Sequence, residues 1–263
     1  MTSSSREWNA ETYQRVSDPQ YSWGEKVLAR LRLRGNELVL DAGCGTGRLT
    51  AELLRKLPNG RVVGVDLSEN MLRTARKELP STDRVHFVVC DLLALPFDCR
   101  FDGIFSTAAF HWVPDHDLLF QNLYTVLKPG GFLVTQCGGG PNLRRLHERV
   151  NFLSAMPKYA VFLSRYRDPW VFSRADTAAA RLRGAGFVDI KTWIEAAPTR
   201  FEHQERYLEF IGNVVLHRRL ERLPSAADRQ SFLQELGALA AQDKPPFELD
   251  YWRLNLDARK PTT

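Results

Sequence analysis

Seven consecutive residues, Asp41-Ala42-Gly43-Cys44-Gly45-Thr46-Gly47, hold the densest chemical signal in this sequence. Glycine tolerates backbone angles closed to other residues and has no Cβ, so a ligand can lie directly against the main chain. The loop follows a short apolar run, Leu38-Val39-Leu40, and leads into a segment with Leu49, Leu53, Leu54 and Leu57 at helical spacing. The free N–H groups at the start of such a helix suit a carboxylate. Dinucleotide-binding loops place glycines as G-x-G-x-x-G. Counted from Gly43, that pattern needs glycine at position 48, which is Arg48; the sequence reads G-x-G-x-G led by an acid. A nicotinamide-dependent oxidoreductase is therefore disfavoured.

Other reactive side chains are sparser. Cys44, Cys90, Cys99 and Cys137 form no CxxC pair, and the six histidines are scattered, so no metal site is expected. The cysteines read as reduced thiols of a cytoplasmic protein. His111 is the one histidine placed just past a strand's C-terminal end, where ligands of open α/β sheets sit. It is a candidate catalytic base, against the plainer reading of a structural ring packed beside Trp112.

These residues need a scaffold, and the sequence supplies one. Strands are expected at Leu38-Val39-Leu40, Arg61 to Val65, Val85 to Val89, Phe101 to Phe105 and Phe132 to Gln136, alternating with helices. Ser68 caps a helix that carries Met71, Leu72, Ala75 and Leu79 on one face. Such repeated units imply parallel strands with right-handed crossovers. After Cys137 the rhythm breaks at Gly138-Gly139-Gly140-Pro141. A helical, arginine-rich stretch follows, then a helix from Ser173, a sixth strand from Phe187 to Ile194, more helix to Gln242, and a last strand from Tyr251 to Ala258. The expected fold is thus α/β, a Rossmann-like seven-stranded sheet with helical cap insertions. Its expected divisions are a helical lid segment at 1–36, the core at 37–137, cap insertions at 138–172 and 201–245, and completion of the core at 173–200 and 246–263.

The net charge of +5 is regional. Residues 138–200 hold 11 Lys and Arg against 5 Asp and Glu, while the segments on either side carry 16 against 16 and 9 against 10. A solvated helical face accounts for such a run as well as an anionic substrate does. No recognisable nucleic-acid module adjoins it. No apolar run approaches the length of about 18 residues that spans a bilayer, and Met1 to Asn9 is polar, with no secretory signal visible. A cytoplasmic protein with neither membrane nor nucleic-acid partner is expected; the sequence leaves the oligomeric state open.

The ordered motifs resemble those of class I methyltransferases, which use S-adenosylmethionine. The loop at Asp41 looks like their D/E-x-G-x-G-x-G motif. Val63-Gly64-Val65-Asp66-Leu67-Ser68 looks like the second motif, Val89-Cys90-Asp91-Leu92 the third, and Leu127-Lys128-Pro129-Gly130-Gly131 the turn before the fifth strand. Trp8-Asn9-Ala10 with Tyr13, the segment Phe105 to His116, and Tyr251-Trp252-Arg253-Leu254 resemble the narrower trans-aconitate methyltransferase group. Three positions depart from that group and point away from trans-aconitate itself: Thr107 replaces asparagine, His111 glutamine and His217 arginine.

The resemblance implies a cofactor site. Gly43, Cys44, Gly45 and Gly47 carry the methionine part, Asp41 receives the amino group, Asp66 chelates the ribose diol and Asp91 meets the adenine amino group. Leu67, Met71 and Leu92 sandwich the ring, and Tyr13 and Thr107 complete the set. The implied activity is methyl transfer to a small molecule, with an anionic acceptor favoured and O-methylation of a carboxylic acid first. Trp8, Trp112, Arg144, Arg145, Arg165, Arg167, His217 and Arg218 are the candidate acceptor residues. Tyr21 and Trp23 are further aromatic candidates for the pocket wall. Methylation of a hydroxyl, amine or carbon with His111 as base is the alternative, and a non-catalytic cofactor-binding module a third.

Overall fold

The computed structural model describes residues 7, 8, 10, 15, 18–80, 82–97 and 101–263. Helix α1 (Asp18–Arg30) leads into β1 (Leu38–Ala42). Strands and helices then alternate through α2 (Arg48–Arg55), β2 (Arg61–Asp66), α3 (Glu69–Glu78), β3 (Val85–Val89), β4 (Phe101–Thr107), α4 (His116–Val126) and β5 (Leu127–Gly138). Three helices follow, α5 (Arg144–Ser154), α6 (Pro157–Leu163) and α7 (Ala175–Gly184), and then β6 (Val188–Ala196) and β7 (Thr199–Arg200). The chain continues with α8 (Gln204–Phe210), a π turn over Ile211–Val215, α9 (His217–Leu220) and α10 (Ala226–Ala240). It ends with β8 (Glu248–Leu249) and β9 (Trp252–Arg259).

Seven strands form one sheet in the order β3-β2-β1-β4-β5-β9-β6. The pairs from β3 to β5 are parallel, and β9 runs antiparallel between β5 and β6. A parallel pair needs a crossover, which the intervening helices supply, and they cover both faces. On one face α4 and α7 bury Phe120 and Leu182 against Leu40 and Phe101; on the other, α1, α2 and α3 bury Val27, Leu53 and Leu72 against Val39 and Val62. The strand order reverses between β1 and β4, so a crevice opens at their C-terminal ends. A third apolar cluster joins Trp23, Leu146, Tyr159, Phe210, Phe232 and Tyr251 above that crevice.

Three expectations change. Segment 1–36 does not serve wholly as a lid, because α1 buries Val27 and Leu28 against the sheet. Each such burial contributes about 1.5–3 kcal/mol, which makes this helix scaffold. Strand β5 starts at Leu127 rather than Phe132: Phe101 pairs with Leu127 and Gly103 with Phe132, with a register irregularity between them. Gly130, at a φ of 76°, donates its N–H to the carbonyls of Lys260 and Pro261, so the Pro-Gly-Gly turn is stitched to the chain's end. The helical stretch after Phe201 is broken by the π turn, where Leu216 N–H reaches Ile211 carbonyl at 2.7 Å. Such turns recur at functional sites.

The regional charge is answered in three dimensions. Arg145 pairs with Glu248 at 2.8 Å, Arg149 with Asp243, and Arg181 with Asp117 at 3.5 Å, all acids from outside the basic stretch. No helix among the described residues is long and apolar enough to cross a membrane.

Candidate active site

A cavity of about 390 Å3 opens at the C-terminal ends of β1 to β4, and a smaller one of about 60 Å3 shares Gly43, Gly45 and Thr107 with it. The glycine loop is held by its own backbone. Gly43 and Cys44 donate their N–H groups to the Val65 carbonyl at 2.8 and 2.9 Å. A Cβ added at Gly43 would meet the Ala109 Cβ at 2.3 Å, whereas at Gly45 it would meet nothing within 4 Å. Bare main chain at Gly45 therefore faces open space.

Asp66 ends β2 with both carboxylate oxygens oriented: Gly45 N–H donates to one and Ser68 N–H to the other, each at 2.9 Å. Each oxygen keeps a second lone pair for a ligand. Burial raises the pKa of Asp66. Asp41 is 2% exposed and accepts the Thr50 hydroxyl at 2.6 Å; burial pushes its pKa up to about 7. It lines the smaller cavity together with Cys44. Asp91 lines the larger one and accepts Leu93 N–H at 2.9 Å, which holds its carboxylate in the turn after β3. Leu67, Met71, Leu92 and Thr107 also line it.

Among the described residues, Gly47 lines neither cavity. It enters α2 at a φ of 78°, and an added Cβ would press on Ala75 at 3.1 Å. Its smallness serves helix packing instead. Tyr13 and Asn9 lie outside the described residues. The neighbouring Glu7 accepts the Ser68 hydroxyl at 2.9 Å and Asn70 N–H at 3.1 Å at the start of α3, where the helix dipole favours an anion. Trp8 lines the cavity beside it. Tyr21 and Trp23 do not line the larger cavity: Tyr21 lies under Arg48 and Trp23 is buried against Tyr251.

The opposite end of the cavity is built from side chains of distant segments. His111 and Trp112 come from the turn after β4, Trp170 and Phe172 from the segment before α7, Val214 and Arg218 from the π turn and α9, and Arg253 from β9. Val171 N–H donates to the His111 carbonyl at 2.9 Å, which clips the second of these segments to the first. His111 Nδ1 accepts Gly138 N–H at 3.3 Å, so in the neutral ring the hydrogen sits on Nε2. Burial, then the charge of Arg253, holds the His111 pKa well below the usual imidazole value. This arrangement gives the ring an N–H to present as a hydrogen-bond donor.

Of the eight candidate acceptor residues, Trp8, Trp112 and Arg218 line the cavity. Arg144 is paired on the surface with Glu148, Arg145 is tied to Glu248, and Arg167 donates to the backbone carbonyls of Ser164 and Tyr166. They and Arg165 lie outside the wall. His217 stands behind Trp8, ring centroids 4.4 Å apart, with neither nitrogen partnered among the described residues and its pKa lowered to about 4 by burial. It is an uncharged packing ring. Sequence reasoning missed Trp170, Phe172 and Arg253 as site residues. The aromatic alternation Trp170-Val171-Phe172 was the signal available for the first two.

Residues 39–131 match the family model described as a methyltransferase domain. Over 131 residues the chain is 39% identical to a trans-aconitate 2-methyltransferase of Variovorax paradoxus (strain S110), covering 49% of each chain. In that alignment the chain spans about half the length of the curated relative it matches. A longer alignment, at 28% identity, covers 90% of this chain and 88% of the trans-aconitate 2-methyltransferase of Paracidovorax citrulli (strain AAC00-1). Phosphoethanolamine N-methyltransferase 2 of Haemonchus contortus, solved with S-adenosyl-L-methionine, superposes with a TM-score of 0.63 at 21% identity. That superposition covers 96% of this chain and 56% of the other, and at that identity the likeness is one of fold. Strand order, glycine loop and family match define a class I S-adenosylmethionine-dependent methyltransferase domain, and this chain carries one. The curated proteins it is most similar to among those named are trans-aconitate 2-methyltransferases.

The residues present fit the cofactor of that domain class. Asp41 is a buried carboxylate and Asp66 a half-buried one, both with raised pKa values, an environment that a cationic ligand would relieve. The open backbone at Gly45 gives such a ligand room to lie between them.

Proposed function

We propose that the protein transfers a methyl group from S-adenosylmethionine to a carboxylate oxygen of a small organic acid, forming a methyl ester. The observation that carries this reading is the Gly138 N–H directed at His111 Nδ1 at 3.3 Å, which engages that lone pair and leaves Nε2 to carry the hydrogen of the neutral ring. A phenol, alcohol or ammonium acceptor needs a group to take its proton. A carboxylic acid, with a pKa of about 4, is already ionised at neutral pH and needs none. When bound, S-adenosylmethionine supplies a methyl group on a sulfonium, which departs with its electron pair on sulfur as the acceptor oxygen takes the carbon. No proton moves in that exchange, so the protein's tasks are to bind, to orient and to exclude water.

In this reading Asp41 and Asp66 hold the cofactor's ammonium and ribose diol, with Asp91 at the adenine end. Arg218 and Arg253 bring positive charge to the acceptor end, and His111 Nε2–H donates to the carboxylate oxygen that does not react. Trp8 lies over the cofactor, and α1 serves as scaffold.

The test is the rate profile against pH, with acids, phenols and amines as acceptors. With S-adenosylmethionine saturating, so that Asp41 is already ionised against it, an acid acceptor gives a profile flat from about pH 6 to about pH 9, since the ionised acid needs no base. His111→Gln, which keeps an N–H donor, retains most activity, and His111→Phe loses about a hundredfold. Turnover confined to phenols or amines, with a rising limb at the pKa of a base, overturns the carboxylate reading.

A further inference from the structure

The acceptor end of the cavity has walls that a small polycarboxylate does not call for. Trp8 meets Trp112 edge to face, with centroids 5.1 Å apart at 90°. Trp170 meets Trp112 at 5.8 Å and 71°, and Phe172 continues nearly parallel to Trp170, at 20° and 5.9 Å. All four line the cavity and none is fully buried. Val214, Val215 and Leu143 add aliphatic surface. Charge enters at two places: Arg253, seated 4.4 Å over the Trp23 ring beside His111, and Arg218, whose guanidinium lies 5.3 Å over Trp112. Among the described residues no carboxylate lines this end; Asp66 and Asp91 belong to the other.

From this lining we infer that the acceptor is a monocarboxylic acid with a flat apolar body, an aryl or aryl-alkenyl acid. The inference rests on the carboxylate methylation proposed above. The body lies against the faces of Trp112, Trp170 and Phe172, where offset and edge-on ring contacts add to the burial of apolar surface. The carboxylate faces His111 and Arg253. A tricarboxylate would have to leave further charges against indole and valine surface, where their lost hydration is not replaced. A cationic acceptor would suit the aromatic faces but meets two arginines.

The experiment is calorimetry on the full chain. Titration with S-adenosylhomocysteine comes first; failure of that titration sinks the methyltransferase reading itself. On the protein saturated with S-adenosylhomocysteine, trans-cinnamate, trans-aconitate, cinnamyl alcohol and cinnamylamine are then compared. The expected order has trans-cinnamate binding at least about tenfold tighter than each of the others. Trp170→Leu weakens trans-cinnamate by about tenfold while leaving S-adenosylhomocysteine affinity and the melting temperature unchanged, a separation that a purely structural tryptophan would not give. Tighter binding of trans-aconitate or of the amine, equal binding of the alcohol, or no binding of trans-cinnamate to the saturated protein overturns the inference. All four outcomes leave the cofactor site standing.

Discussion

The two ends of the cavity are made by different means. The cofactor end is backbone work: the glycine loop, the strand-end carboxylates Asp41, Asp66 and Asp91, and the start of α3 all sit within residues 41–91. The acceptor end is side-chain work: Trp8, His111, Trp170, Arg218 and Arg253 converge from five separate segments. A site made from main chain demands particular residues at adjacent positions, because only they permit the turn. A site made from side chains can be assembled from any elements that pack together. The first end is therefore tied to the fold, while the second can be re-lined without disturbing it.

A substitution in the cap tests that separation most severely. Arg219 is 4% exposed and joins α9 to Ser154 of α5 at 2.9 Å and to Asp168 at 2.5 Å, two residues before Trp170. Arg219→Ala leaves the half-buried Asp168 carboxylate and the Ser154 hydroxyl without this partner, and each lost charge-assisted hydrogen bond is worth about 1.5–3 kcal/mol. Hydrogen exchange read by mass spectrometry should show α5, α8 and α9 losing protection while β1 and β2 keep theirs. Uniform loss across the chain would mean that the ends form one cooperative unit.

The same division explains how much could be read beforehand. Loop, strand ends and caps were legible because each is local: Ser68 does accept Met71 N–H at 3.3 Å, and Asp66 does end β2 beside Gly45. Gly47 lines neither cavity because one spacing rule covers two physical needs, ligand approach and helix packing, which only the contact with Ala75 separates. The arginines of 138–200 misled for a related reason. Their acids, Asp117, Asp243 and Glu248, lie far away in sequence, so a charge excess along the chain overstates the charge left unpaired in three dimensions. Arg253 is the converse, a cationic wall residue inside an alternating strand, with nothing local to mark it.

At the cofactor end the expected effect is smaller and confined. Asp66→Asn keeps one oxygen for the Gly45 or Ser68 N–H but loses the charge, and hydrogen bonds to a charged group are worth about 1.5–3 kcal/mol. Calorimetry should find S-adenosylmethionine affinity lowered roughly tenfold to a hundredfold. The melting temperature and the acceptor affinity of the protein saturated with cofactor should hardly move. A matching loss of acceptor affinity under saturation would show that the two ends share more than a wall.

The smallest effect concerns a single proton on Asp41. Its folded pKa is raised to about 7, above the unfolded carboxyl value of about 3.9, because burial disfavours the anion. The folded state thus holds this proton more tightly than the unfolded one. The contribution to stability is fully present below about pH 4 and is lost as pH rises through about 7. Asp41→Asn, a neutral mimic of the protonated carboxyl, removes that slope without removing the side chain. A cationic ligand in the smaller cavity favours the ionised form, so cofactor binding near pH 6 releases a proton and binding near pH 8 does not. Titrations in two buffers of different ionisation enthalpy measure the difference directly. If wild type and Asp41→Asn show the same stability slope and no proton is released near pH 6, Asp41 is already charged in the free protein. The cofactor end would then be polar before any ligand arrives, and the contrast with the aromatic end would lie in charge as well as in construction.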